Sequence, residues 1–211
     1  MVASVEKRLV ILVHGFNVWD GGKRTVGRLR PYFEDRDCDV VDYRYDWVGI
    51  LGATFGLEKQ ARQLTALCRP GCVVVGHSHG CNVAHEAIWN YAPVRRAIFI
   101  APALDRDAAL PPGGRTGLDS VDVWHSRHDK PVWASRILPW NKWGWMGVTG
   151  YVGEDSRYVN LDREAWSGTE YGGLNHSGMF EEGRVLDFWG NLIADRTLRD
   201  RDDNSAKEGS E

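Results

Sequence analysis

Apolar positions along this chain follow two rhythms, and their alternation predicts the fold. Leu9-Val10-Ile11-Leu12-Val13 is an unbroken apolar run closed by His14-Gly15. A strand without a polar face must be covered on both sides, which predicts a place in a parallel sheet flanked by helices. Thr25 to Phe33 is short and amphipathic and predicts a helix, and Asp39 to Tyr45 predicts a second, more polar strand that is partly exposed. From Leu57 to Cys68 the apolar residues fall at 57, 61, 64, 67 and 68, a helical period stopped by Pro70-Gly71. Cys72-Val73-Val74-Val75 is a third strand closed by Gly76, and Asn82 to Trp89 a helix. Further strands are predicted over Arg95 to Leu104, Val121 to Val132 with its polar terminal turn, and Tyr158 to Asp162. A helix is expected to begin near Pro131, and Met179 to Leu198 has helical spacing at Val185, Phe188, Trp189, Leu192 and Ile193. Strand and helix in alternation is the pattern of an open parallel sheet with right-handed crossovers.

The third strand turns into its helix through Gly76-His77-Ser78-His79-Gly80. A strand that reverses straight into a helix strains its turn residue, so the flanking positions must be small. Gly76 and Gly80 supply that room. Ser78 is thereby predicted to project above the sheet edge, with the backbone N–H of His79 at a helix N-terminus, where negative charge is favoured.

This Gly-x-Ser-x-Gly, between a hydrophobic strand and a helix, resembles the nucleophile elbow of the α/β-hydrolase superfamily. The resemblance covers roughly residues 8–195. It implies an α/β-hydrolase fold, a mainly parallel sheet of about six strands with helices on both faces. The chain starts at the first parallel strand of that pattern and lacks the antiparallel strands that often precede it, so a minimal hydrolase is expected. The loop from Asp105 to Asp119, where a large cap is often inserted, has room only for a modest loop.

Ser78, Asp129 and His176 stand in the superfamily's chain order, each after a predicted strand or in the loop beyond one. Parallel strands put their C-terminal ends on one edge, where the three can converge. A serine hydroxyl is a poor nucleophile at neutral pH, so His176 would take its proton while Asp129 fixes the imidazole tautomer and stabilises the imidazolium. The resemblance implies an oxyanion hole from the backbone N–H groups of Phe16 and His79, worth about 3–4 kcal/mol per donor. Each assignment has rivals. Asp105 follows the preceding strand and competes with Asp129 as acid. His125 and His128 compete with His176 but precede or abut the acid turn. His14 is read as shaping its loop, and His77 and His79 as packing or pocket-edge residues. His77, His79, His125 and His128 show no familiar metal-ligand spacing, so neither a metal nor a cofactor is expected.

Apolar residues also gather where the core pattern does not need them. Trp47, Ile50, Leu51 and Phe55, mixed with glycines, predict a pocket wall or a staple onto the core. Trp140, Trp143 and Trp145, followed by glycines, predict a lip that binds substrate, an interface for a partner or membrane surface, or packing beneath the sheet.

Composition narrows the remaining choices. With 211 residues, 43% of them hydrophobic, one sizeable core and one domain over residues 1–198 are expected, with residues 199–211 a disordered charged tail. A net charge of −3 gives no general attraction to nucleic acid. No apolar run is long enough for a transmembrane segment. Four cysteines at 38, 68, 72 and 81, behind an opening with no apolar signal segment, predict reduced thiols and a cytoplasmic location. Cys68-x3-Cys72 lacks a second pair to complete a metal site and reads as buried thiols. The expected activity is that of a serine esterase acting on a small-molecule or lipid-like ester. Lipase, thioesterase or amidase chemistry on the same residues remains open, as does a non-catalytic binding protein on the same scaffold.

Overall fold

A computed structural model of the chain describes residues 7–16, 19–45, 56–113, 116–131, 144–166 and 174–199. Within them six strands form one sheet: β1 (Leu9–Val13), β2 (Asp39–Tyr43), β3 (Cys72–His77), β4 (Val94–Ile100), β5 (Ser120–His125) and β6 (Tyr158–Asp162). Their spatial order is β2-β1-β3-β4-β5-β6, and every neighbouring pair is parallel. The helices are α1 (Arg30–Glu34), α2 (Leu57–Leu67), α3 (His79–Trp89), α4 (Met146–Thr149) and α5 (Arg184–Leu198), with 3-10 turns at Val26–Leu29 and Gly178–Phe180.

The unbroken apolar strands feed two cores. In β1, Leu9, Ile11 and Val13 point to one face, where Ala61 and Leu64 of α2 and Cys81, Ala84 and Ile88 of α3 cover them. Val10 and Leu12 point to the other, against Phe33 of α1 and Trp189 and Ile193 of α5. Alternation along a strand with no polar face thus requires helices on both sides, and both sides have them. Trp189 meets Trp124 of β5 edge-on, ring centroids 5.7 Å apart, both fully buried. Such a pair adds about 1 kcal/mol beyond the area it buries.

Element boundaries depart from the periodicity where backbone geometry intervenes. The helix expected over Thr25 to Phe33 divides into a 3-10 turn and α1, which restarts with Pro31 in its first turn. The helix expected from Met179 divides at Gly183, whose φ of 79° ends one turn before α5 begins. β4 stops at Ile100 rather than Leu104, because Ala101 turns the chain with φ 49°. α3 begins at His79 instead of Asn82, directly at the turn. The four cysteines are unpaired, and among the described residues no helix is long and apolar enough to cross a membrane. The 47–55 stretch, Trp140, Trp143 and the tail beyond Arg199 lie outside the described residues.

Candidate active site

At the C-terminal end of β3 the chain enters α3 through Ser78, whose φ is 55° and ψ −121°. A side-chain-bearing residue reaches such a backbone only when its surroundings impose it. Here the Ser78 N–H donates to the Ile100 carbonyl at 3.0 Å, and its carbonyl accepts from Cys81 N–H at 3.1 Å. The flanking glycines answer a spatial demand. A methyl group on Gly80 would stand 2.3 Å from the carbonyl oxygen of Val13, and one on Gly76 would stand 3.0 Å from the Cys81 backbone. Close contact with β1 continues at Gly15, where a methyl group would lie 3.1 Å from Ser78 Cβ. The residue after Gly15 is Phe16, so its peptide follows immediately on this contact between the β1 loop and the serine. The backbone of His79 opens α3 on the other side.

The β1 loop is itself anchored. His14 is buried, its Nδ1–H donates to the Gly15 carbonyl at 2.8 Å, and its ring stacks on Tyr45 at 4.1 Å. The Tyr45 hydroxyl sits 2.6 Å from the His14 carbonyl and 3.0 Å from that of Gly15. Burial lowers the His14 pKa, and burial lowers His79 to about 4. These imidazoles remain neutral and structural at neutral pH.

Asp129 lies in the turn after β5, where its N–H donates to the Ser126 carbonyl and the Ser126 hydroxyl accepts from His128 N–H. The carboxylate is completely buried. Its Oδ1 and Oδ2 stand 2.9 and 3.0 Å from Nδ1 of His176, which arrives on the loop leading to the Gly178–Phe180 turn. Met179 and Phe180 fix the far end of that loop in the core. A carboxylate on Nδ1 holds the proton there and leaves Nε2 as the ring's basic nitrogen. The ring of His77, the residue before Ser78, packs 4.8 Å from that of His176. The imidazole and carboxylate are therefore beside the elbow.

The rival residues fall elsewhere. Asp105 is exposed after β4, His125 ends β5 beside Gly150, and His128 points to Glu164 at 3.8 Å with its side chain more than half exposed. Burial lowers the His125 pKa as well. No group of potential metal ligands forms among the described residues. Of the three tryptophans expected at a substrate lip, Trp145 is described: it is half-buried and opens α4. Its segment is stitched along the end of β4, with Met146 N–H on the Leu104 carbonyl and Gly147 N–H on that of Pro102.

Sequence reasoning missed one residue of this site. Arg163, the first residue after β6, is completely buried, with Nη2 3.9 Å from Asp129 Oδ2. Burial lowers its pKa to about 10, against the opposing pull of Asp129, Glu164 and Asp162. Its position directly beyond a predicted strand, on the edge where the other candidates gather, was the available signal.

Likeness to known proteins agrees with this architecture. The family profile described as Alpha/beta hydrolase family matches residues 10–204. No curated protein matches the sequence. Among solved structures, lipase B of Aspergillus fumigatus superposes with a TM-score of 0.55 at 19% identity, over 94% of this chain and 55% of that one. This chain therefore spans just over half the length of that lipase. Alpha/beta hydrolase domain-containing protein 10 from mouse gives 0.55 at 14% identity, over 91% of this chain and 92% of that one. The esterase domain of a Rhodothermus marinus protein gives 0.54 at 16% identity, over 92% and 88%. With a parallel six-stranded sheet, a strained serine between glycines and a profile match over nearly the whole chain, this protein belongs to the α/β-hydrolase family.

Proposed function

We propose that the protein is a serine hydrolase that cleaves carboxylic esters through an acyl-enzyme on Ser78. The reading rests foremost on the contact of His176 Nδ1 with the buried Asp129 carboxylate, the His176 ring lying 4.8 Å from that of His77, the residue before a serine of φ 55°. His176 Nε2 accepts the Ser78 proton as Oγ attacks the acyl carbon, and Asp129 stabilises the imidazolium. The backbone N–H groups of Phe16 and His79 donate to the tetrahedral oxyanion, the latter helped by the N-terminus of α3. The imidazolium returns its proton to the leaving alcohol, and water then repeats the sequence on the acyl-enzyme.

An uncharged ester is supported over an anionic one by the half-buried indole of Trp145 at the same edge and by a net charge of −3, which gives no general attraction to anions. The structural neighbours named as a lipase and an esterase domain are in keeping with it. The test is labelling with a fluorophosphonate probe followed by peptide mapping. Label on Ser78 that disappears in Ser78→Ala is the expected result; modification of another residue, or none, refutes the reading.

A further inference from the structure

Residues 174–177, which carry His176 to the Gly178–Phe180 turn, form neither helix nor strand. Carbonyls that no helix or strand ladder satisfies are open to side-chain donors. Three successive carbonyls here accept from buried side chains, that of Asn175 also facing the Gly178 N–H at 3.4 Å. The Leu174 carbonyl accepts from Arg163 Nη2 at 3.2 Å, the Asn175 carbonyl from Arg163 Nη1 at 3.0 Å, and the His176 carbonyl from His77 Nε2–H at 3.1 Å. The two donors come from different strands, His77 from the end of β3 and Arg163 from just past β6, and both are buried.

We propose that His77 and Arg163 are positioning residues that grip the loop of His176 at these carbonyls, keeping its imidazole on Asp129 and turned toward Ser78. The inference rests on the reading of Ser78, Asp129 and His176 as the catalytic set and deepens it.

The two grips differ in kind. His77 donates from Nε2, which leaves Nδ1 unprotonated, and that nitrogen is buried with no hydrogen-bond partner. A second proton would have nothing to hold it; burial first, and then the nearby His176, keep the pKa well below the ordinary value. His77 therefore acts as a neutral donor and its contribution is geometric. Arg163 adds a buried cation beside Asp129. The groups facing it are Asp129, Asp162 and Glu164, which attract it, and His77 and His125, whose cationic forms it disfavours. His128 faces Glu164 from the acid turn. Arg163 therefore grips with charge as well as geometry, and a lysine in its place would keep the charge while losing the fork that reaches two carbonyls.

The experiment compares His77→Leu, His77→Gln, Arg163→Met and Arg163→Lys on a short p-nitrophenyl ester, with melting temperatures recorded for each. His77→Leu is expected to lower kcat about 10²-fold, the scale of an ångström-sized misplacement of a reacting group, with KM within about twofold. His77→Gln, which restores an N–H donor, should recover most of that loss. Arg163→Met should lower kcat about 10²-fold with KM within about twofold, and Arg163→Lys, which keeps a cationic donor, should recover part of that loss. If His77→Leu keeps the wild-type kcat, or Arg163→Met folds and keeps it, the proposal is overturned. Should Arg163→Met fail to fold, the Lys variant and the His77 pair decide it.

A second readout separates this inference from the reading beneath it. In a Ser78→Ala background, the Nδ1–H proton resonance of His176 should exchange faster with solvent in His77→Leu than in the parent. If it does so while Ser78→Ala still hydrolyses ester at full rate, the grip stands and the nucleophile assignment falls. Unchanged exchange, with hydrolysis abolished by Ser78→Ala, overturns the grip and leaves the nucleophile in place.

Discussion

Both carboxylate oxygens of Asp129 face one nitrogen of His176, Oδ1 at 2.9 Å and Oδ2 at 3.0 Å from Nδ1. A fully buried carboxylate in that position governs which ring nitrogen carries the proton. Asp129→Asn would present an amide that can donate to Nδ1 and stabilise the wrong tautomer. We expect kcat on a short p-nitrophenyl ester to fall about 10⁴-fold, with Ser78→Ala abolishing turnover and the fold intact in both. Asp105→Asn, at an exposed position, should leave the rate within about twofold, and a larger loss there than in Asp129→Asn would reassign the acid.

Gly80 makes a prediction about stability. A methyl group there would stand 2.3 Å from the Val13 carbonyl oxygen and 2.5 Å from that of His14, both backbone atoms that cannot swing aside. Gly80→Ala should cost about 3 kcal/mol or more, since β1 and α3 would have to separate. Gly113, with nothing within 4 Å of the same position and no positive φ, is the control, and Gly113→Ala should be neutral within about 0.5 kcal/mol. Urea denaturation of the two variants gives the comparison directly.

Buried neutral histidines predict an acid-sensitive fold. Burial lowers His79 and His85 to about 4 from the ordinary 6.5, and lowers His14 and His77 as well. Between pH 6.5 and 4 the unfolded chain binds protons that the folded one refuses, so stability rises with pH across that window and levels off above it. For His79, which is 1% exposed, the full loss on acidification amounts to about 3 kcal/mol. The urea midpoint should therefore drop steadily from pH 7 to pH 5, with a shallower slope in His79→Phe. A midpoint independent of pH over that range would contradict the burial of these rings as neutral groups.

Arg96 predicts how the last helix is held. Its Nη1 reaches the carbonyls of Arg196, Thr197 and Arg199 at 2.6, 3.1 and 2.9 Å, while Nε donates to the Ser120 hydroxyl at 3.0 Å. A cation on the last carbonyls of α5 satisfies acceptors that the helix leaves open and complements its dipole. Arg96→Met should destabilise by about 2 kcal/mol, with kcat on a short p-nitrophenyl ester unchanged in the folded fraction. Loss of kcat without loss of stability would contradict a purely structural role.

Much of the architecture could be read from local pattern. Leu9-Val10-Ile11-Leu12-Val13 requires cover on both faces, and the structure supplies α2 and α3 on one and α1 and α5 on the other. Gly76 and Gly80 announced a tight strand-to-helix turn because the contact they permit is with neighbours in sequence and with the adjacent strand. Where periodicity misjudged an end, a single backbone angle was responsible, as at Ala101 and Gly183. At buried Ala101 that angle belongs to a packed turn, and at exposed Gly183 to a residue free to adopt it; a hydrophobic period encodes neither.

The candidate site was legible to a different depth. Ser78 stood out by its turn, and Asp129 and His176 by order along the chain; the choice between Asp129 and Asp105 could not be made from spacing, since both follow strands. It depends on which loop meets His176 across the sheet edge. Arg163 went unread for the same reason, and His77 was read only as a packing or pocket-edge residue. His77 donates to a carbonyl 99 residues away, and His77 and Arg163 have no marked sequence signal beyond lying at strand ends. By itself the sequence determined the alternation of strand and helix and the strained serine, because both follow from interactions within a few residues. Only the tertiary structure decided which carboxylate faces the imidazole and what grips its loop, because those contacts exist only after the parallel sheet has brought distant loops to one edge.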